Sequence, residues 1–313
     1  MPIRLWVEPT NFCNLKCTMC PNKTMPVKNK GYMKFELFKK IIDETKDHIY
    51  DINIHHRGEA LLHPELPKMI EYAKKSGIKV KLHTNATQIT KDKGLQLLNS
   101  GLDLISFSFE GFEKRKYEQT RKGAKFEITF NNILEFLKLK KEMGKYVPYT
   151  IIEVISHSKS SDSEKLKEFK QRFGHFPPDE IIIKELHNWA GQLSTKILPK
   201  NRTYNRCTFP WYAAIICWDG TITPCPQDFS AVNNMGNISN QTLKEIWNGD
   251  RYRRLRKKLI SGSLRDLKSC GKCDRLFRKK VGGIPYQYAL SFLNDQLIGF
   301  GRLRKILGSY ERN

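Results

Sequence analysis

Apolar residues recur along this chain at two spacings, and the spacings alternate. Leu5-Trp6-Val7-Glu8-Pro9 reads as a short strand stopped by a proline. Over residues 33–49 the apolar positions Phe35, Phe38, Ile41, Ile42 and Ile49 share one side of a helix, with Asp, Glu and Lys between them. Residues 51–56 then alternate like a strand, and the loop 57–64 leads to a helix over 65–76. The unit returns as strand 79–83 with helix 91–100, strand 104–109 with helix 126–143, strand 149–155 with helix 163–173, and a sixth strand at 180–184. Glycines from Gly77 to Gly174 close four of these helices, as C-terminal caps do.

Alternating strand and helix predicts a parallel sheet with helices outside it. Six such units are too few to close an eight-stranded barrel, so the expected fold is α/β, an open partial (β/α)6 TIM barrel. Ligands of parallel α/β folds sit at the carboxyl ends of the strands. There the loop after the first strand meets the loop 57–64.

Beyond residue 200 the rhythm changes. An apolar strand at 213–218, Asp219-Gly220 and the alternating Thr221-Ile222-Thr223 predict a hairpin. Met235-Gly236-Asn237-Ile238 then leads into one amphipathic helix over 243–258. The expected organisation is a barrel at 1–195, a small hairpin-plus-helix domain at 196–280 and a tail at 281–313.

Composition narrows the class. With 313 residues and 39% hydrophobic content the chain can bury a large core. No basic, apolar leader opens it and no run approaches the ~18 apolar residues of a membrane span, so the expectation is a cytoplasmic protein without a transmembrane segment. Eight cysteines in that compartment point to metal or redox chemistry, and they fall in two groups, three near the start and five after residue 200. The net charge of +23 is concentrated in residues 251–280, where a solvated helix face is the plainer reading and phosphate, acidic peptide or nucleic acid the alternatives. The run lacks the interleaved aromatics of a single-strand binding platform, so nucleic acid is not expected as a partner.

Cys13, Cys17 and Cys20 stand at C-x3-C-x2-C spacing directly after the first strand. Three thiolates leave one coordination position open. A zinc site wants a fourth Cys or His nearby, and the next histidine is His48. An iron–sulfur cube with one free iron fits better than a zinc knuckle or a packed set of reduced thiols. The motif resembles that of the radical S-adenosylmethionine (SAM) superfamily, and the resemblance spans about residues 3–190. It implies a [4Fe–4S] cluster on these cysteines, SAM on the open iron, and a flavodoxin- or ferredoxin-type electron donor.

The same resemblance assigns a SAM shell. Arg57-Gly58-Glu59-Ala60 stands where the family has a Gly-Gly-Glu-Pro-like turn, so Gly58 and Glu59 become SAM-binding candidates and the role of Arg57 is open. Thr84-Asn85-Ala86 resembles a Thr-Asn-Gly turn, adding Thr84 and Asn85. Met19 takes the place of an aromatic beside the adenine. Ser106 and Ser108 share one face of the fourth strand and reach toward ribose or substrate. Arg121, in Tyr117–Phe126, is a carboxylate-binding candidate. Glu153, Lys184, His187 and Asn188 lie toward the same barrel mouth as substrate-contacting or proton-exchanging candidates.

Cys207, Cys225, Cys270 and Cys273 supply four further ligands. A zinc ribbon would use four cysteines too, but the arrangement resembles the SPASM/twitch domains of radical SAM enzymes over about 207–276. With no cysteine after Cys273, it matches the shorter form with a single auxiliary [4Fe–4S] cluster. Cys217 is left over. A buried apolar thiol is its default reading, and a hydrogen-atom donor to a substrate radical is the sharper one that the resemblance implies. The family implies a radical enzyme acting on a sugar, a cyclitol or a similar small molecule by oxidation or epimerisation, with a peptide maturase as the alternative; outside the family, the cysteines and the basic stretch 251–280 leave a non-catalytic zinc and nucleic-acid-binding protein as the other alternative.

Overall fold

The structure is a computed structural model and describes residues 1–156, 162–193, 204, 206–277, 280–281 and 284–285. Six parallel strands, β1 (Arg4–Val7), β2 (Asp51–Asn53), β3 (Lys79–Thr84), β4 (Leu104–Ser108), β5 (Tyr149–Ser156) and β6 (Glu180–Glu185), lie side by side in chain order. Around them run α1 (Phe35–Thr45), α2 (Leu66–Lys75), α3 (Lys91–Asn99), α4 (Lys114–Thr120), α5 (Phe126–Glu142) and α6 (Asp162–Gln171). This is the expected open α/β barrel. The helices and strands predicted for the barrel are all present with ends shifted by a few residues, and α4, which overlaps the start of the Tyr117–Phe126 segment read only as a family motif, is an addition.

Period-two alternation sorts each strand into an outer and an inner face. Leu5, Val7, Ile52, Ile54, Val80, Leu82, Ile105, Phe107, Ile152 and Val154 face the helices and belong to one fully buried core. The opposite parity carries Arg4, Asp51, Lys81, His83, Ser106, Glu153 and Lys184. An open barrel filled by polar side chains is a lumen able to hold a ligand, whereas a closed barrel of branched apolar residues is packed solid.

After the barrel come β7 (Ala213–Ile216), β8 (Thr221–Thr223), β9 (Gly236–Asn237), α7 (Leu243–Asn248) and α8 (Asp250–Ser261). The Asp219-Gly220 turn joins β7 and β8 as an antiparallel hairpin, with Gly220 at φ +83°. One feature was not expected. Strand β7 also pairs in parallel with β1, from Arg4 opposite Ala213 to Val7 opposite Ile216, so barrel and hairpin form one nine-stranded sheet. The single helix expected over 243–258 is two, because Gly249 takes an extended conformation (ψ 167°) and Thr242 and Glu245 form a capping box on the first. Strands β10 (Lys280–Val281) and β11 (Ile284–Pro285) pair beyond, and the rest of the 281–313 tail lies outside the described residues.

Candidate active site at the barrel mouth

The cysteine loop is held in place from three sides. Backbone pairing with the end of α4 and the segment after it fixes its middle, Lys16 N–H donating to Lys122 C=O and Thr18 N–H to Thr120 C=O, both at 2.9 Å. The loop after β2 closes from the second side: Glu59 N–H donates to Phe12 C=O at 2.8 Å. A Cβ on Gly58 would stand 2.4 Å from the carbonyl oxygens of Thr10 and Phe12, so only glycine permits this approach. The loop after β3 closes from the third, Asn85 Nδ2 donating to Asn14 Oδ1 at 3.0 Å and Asn14 Nδ2 to Thr87 Oγ1 at 2.7 Å.

Glu59 joins two of these loops. Its buried carboxylate accepts from Thr84 Oγ1 (2.6 Å), Asn85 N–H (2.7 Å) and Leu61 N–H (3.1 Å). Burial still raises its pKa against these donors. Ala86, standing where the family has glycine, is buried with φ +61°, a left-handed conformation that costs an alanine roughly 1 kcal/mol. Arg121 is buried, ion-paired to Glu110, and within electrostatic reach of Cys13, Cys17, Cys20 and Glu59. It places a fixed positive charge beside the three sulfurs. Met19 contributes its carbonyl, which accepts from the Trp189 indole at 3.0 Å.

Arg57, left without a role by the sequence, makes a bidentate pair with Glu8, Nε to Oε1 at 2.8 Å and Nη2 to Oε2 at 2.6 Å. Glu8 is fully buried; burial alone would raise its pKa, and Arg57 outweighs it and holds the carboxylate ionised. The pair reaches the C-terminal domain, since Trp218 N–H donates to Glu8 Oε2 at 3.1 Å. Cys217 lies beside it, 1% exposed. Its thiol is pushed well up, by burial first and then by the charge of Glu8, so it stays protonated.

Inside the lumen, Asp51 is held by Arg4 (2.6 Å) and Lys81 (2.9 Å). Nearer the mouth, Lys184 Nζ lies 2.7 Å from Glu153 Oε1 and His83 Nδ1 lies 3.6 Å from the same oxygen. Burial opposes ionisation of Glu153, but His83 and Lys184 bring its pKa down to about 2. Burial brings His83 itself to about 4, so near neutrality it is uncharged and Lys184 is the partner that matters. His55 stacks on His83 with ring centroids 4.1 Å apart, and burial keeps it neutral too. Ser106 is buried beside them, and Ser108 stands opposite Glu153 in register. The sequence-predicted Glu153, Lys184, Ser106 and Ser108 thus come together. His55, His83, Asp51 and Lys81 were missed, although their strand alternation carried the signal. Asn188 is committed elsewhere, its amide donating to Lys272 C=O and accepting from Asp274 N–H.

The four later cysteines also converge. Burial pushes Cys225 well up, and Cys270, Cys207 and Cys273 each add to the shift through their charge. Asp228 ties the two halves of this set, accepting from Ser269 Oγ beside Cys270 (2.8 Å) and from Val232 and Asn233 N–H. Buried, mutually repelling thiolates need a positive centre to stabilise them, which iron–sulfur clusters supply; Cys17 and Cys20, pushed by burial to about 11, make the same case at the first loop. Among the described residues no three His, Cys, Asp or Glu side chains converge closely enough for a single metal ion.

The chain matches the Radical SAM superfamily over residues 7–162 and the SPASM iron–sulfur cluster-binding domain over residues 207–274. It belongs to the radical SAM proteins that carry a C-terminal SPASM domain, with [4Fe–4S] clusters and SAM as cofactors. Among relatives, it is 25% identical to the tungsten-containing aldehyde ferredoxin oxidoreductase cofactor-modifying protein of Pyrococcus furiosus, over 79% of this chain and 81% of that protein. It is 24% identical to the S-adenosyl-L-methionine-dependent 2-deoxy-scyllo-inosamine dehydrogenase of Niallia circulans, over 86% of this chain and 92% of that enzyme. Streptococcus suis SuiB, solved with its precursor peptide SuiA, shares the fold with a TM-score of 0.66 at 17% identity, over 88% of this chain and 70% of SuiB.

Proposed function

We propose that this protein abstracts a hydrogen atom from a hydroxyl-bearing carbon of a sugar, cyclitol or comparable small polar metabolite, and oxidises it. The observation that carries the reading is the polar constellation Glu153, Lys184 and His83 on the inner face of the barrel, beside the loops that hold the cysteines. Such a lumen offers a carboxylate acceptor, an ammonium donor whose side chain is half exposed, and a neutral imidazole to a polyol. The similarity to a cyclitol-derivative dehydrogenase along most of both chains supports the same substrate class.

When bound, the cofactors supply a 5′-deoxyadenosyl radical at the three-cysteine site and a one-electron acceptor at the four-cysteine site. The chain's own residues do the rest. Cys13, Cys17 and Cys20 would hold the first cluster with SAM, and Cys207, Cys225, Cys270 and Cys273 would hold the second. Gly58, Glu59, Thr84, Asn85, Met19 and Arg121 shape and charge the SAM pocket, and Glu153 and Lys184 orient the substrate hydroxyls, with Ser106 and Ser108 alongside.

Epimerisation is the second reading, favoured by Cys217. It is a buried thiol kept protonated next to the mouth, the state a hydrogen-atom donor requires. An anaerobic assay with SAM in deuterated buffer separates the outcomes across a panel of sugars, cyclitols and short peptides. A ketone formed in step with 5′-deoxyadenosine supports oxidation. Solvent deuterium retained at an inverted carbon, lost in Cys217→Ala, supports epimerisation. Turnover with peptides alone overturns the small-molecule reading.

A further inference from the structure

We propose that the outer face of α8 and the loop that follows it form the docking surface for a small acidic electron-carrier protein that exchanges electrons with the four-cysteine site. Arg253, Arg254 and Lys257 are exposed on one side of α8, while Tyr252, Leu255 and Leu259 are buried on the other. The same surface continues through exposed Arg265, Lys268 and Lys272. Lys258 ties the loop back onto the helix through Asp266 at 3.0 Å. Between residues 250 and 273 the acids are Asp250 and Asp266, and each already lies beside a cation. The surplus of positive charge faces outward.

Its position relative to the cysteines selects the partner. Lys268 and Lys272 flank Cys270 in sequence and both are exposed. On the inner side of α8, Tyr252 lies within electrostatic reach of Cys225. Tyr204 donates its hydroxyl to Leu259 C=O at 2.6 Å and feels the charges of Cys207 and Cys270. The cationic face is thus the outside of the wall that encloses the four-cysteine site. The inference rests on the oxidative reading: oxidising a secondary alcohol to a ketone releases one hydrogen atom from carbon to the radical, one proton from the hydroxyl and one further electron. Cleavage of SAM takes one electron in and the oxidation gives one back; a one-electron carrier seated beside the four-cysteine site can take up the electron released there, and an acidic one matches the cationic face.

Nucleic acid is the competing class for a basic face. The aromatic of α8, Tyr252, is 0% exposed, so α8 presents no ring for stacking bases. Ile260, 52% exposed among the cations, instead gives the patch the apolar contact that protein interfaces use.

The test is calorimetric titration of the anaerobic holoenzyme with an oxidised acidic flavodoxin, and separately with a 20-nucleotide single-stranded RNA, at low and moderate salt. The double variant Arg254→Glu/Lys257→Glu is compared with wild type and with Lys39→Glu, an exposed charge on α1. Binding of flavodoxin that weakens with salt, falls at least tenfold in the double variant and is unchanged in Lys39→Glu is the expected result. Absence of flavodoxin binding, equal loss in both variants, or RNA binding that takes its place would overturn the inference. Turnover of each protein with dithionite as chemical reductant is measured in parallel. Substrate oxidation without carrier binding sinks the docking surface alone, and carrier binding without oxidation sinks the oxidative reading alone.

Discussion

At the scale of single residues, the pair Glu8–Arg57 carries the clearest energetic consequence. Removing one member of a buried ion pair strands the other charge, at a cost of about 3–5 kcal/mol. Arg57→Ala is therefore expected to lower unfolding stability by that amount in urea, and adding Glu8→Gln to recover part of it. Buried histidines govern much of the response to acid: His55, His56, His63 and His83 are all lowered by burial. Burial brings His56 and His83 down to about 4, against ~6.5 for an unfolded histidine. Above pH 6.5 neither state takes up a proton. Between 6.5 and 4 the unfolded chain does and the fold does not, so stability falls as pH drops, by up to about 1.4 kcal/mol per pH unit for each histidine. Glu153, depressed to about 2, loses its contribution only between about 4.5 and 2. Urea midpoints measured from pH 7.5 to 5 are expected to fall, and to fall less steeply in His56→Gln.

The cysteine spacings were legible in the sequence because the ligands of a cluster loop are close along the chain. The lumen was legible only in part. Glu153 stood out as a charge on the fifth strand and Lys184 as one at the end of the sixth, whereas His55 and His83 look like any polar residue alternating on a half-exposed strand. Their role emerges only once the sheet curls and brings β2, β3 and β5 around one space.

Among elements, the loop after β2 shows how a glycine does two jobs. Gly58 lets that loop lie against the cysteine loop, and Glu59 then reaches the loop after β3. Gly58→Ala would push a methyl into two carbonyl oxygens and separate the loops. The expected result is loss of iron from the first site with the second retained, read as about four irons per chain in place of about eight. The break between α7 and α8 was legible in principle, since Gly249 interrupts the helical periodicity. Periodicity alone does not settle it, because a single glycine costs only ~1 kcal/mol within a helix. The pairing of β7 with β1 had no local signal, because strand neighbours roughly 200 residues apart leave no spacing to read.

For the whole molecule, two independent cysteine sets predict additive metal content. Anaerobically prepared protein should hold about eight irons, and the triple Cys13/Cys17/Cys20→Ala variant about four. A variant with none would mean that the second site does not form without the first. Among the described residues no helix is long and apolar enough to cross a membrane.

The seam between β1 and β7 also sets an order of events during synthesis. One edge of β1 finds β2 soon after translation begins, but the other stays bare until β7 leaves the ribosome. At 5–20 residues per second that interval is roughly 10 to 40 s. For that time the nascent chain carries an unpaired strand edge next to its first three cysteines, a template for pairing with a neighbouring chain. Newly made protein is therefore most exposed to misassembly before residue 216 emerges, and slowing translation across the barrel would lengthen that exposure.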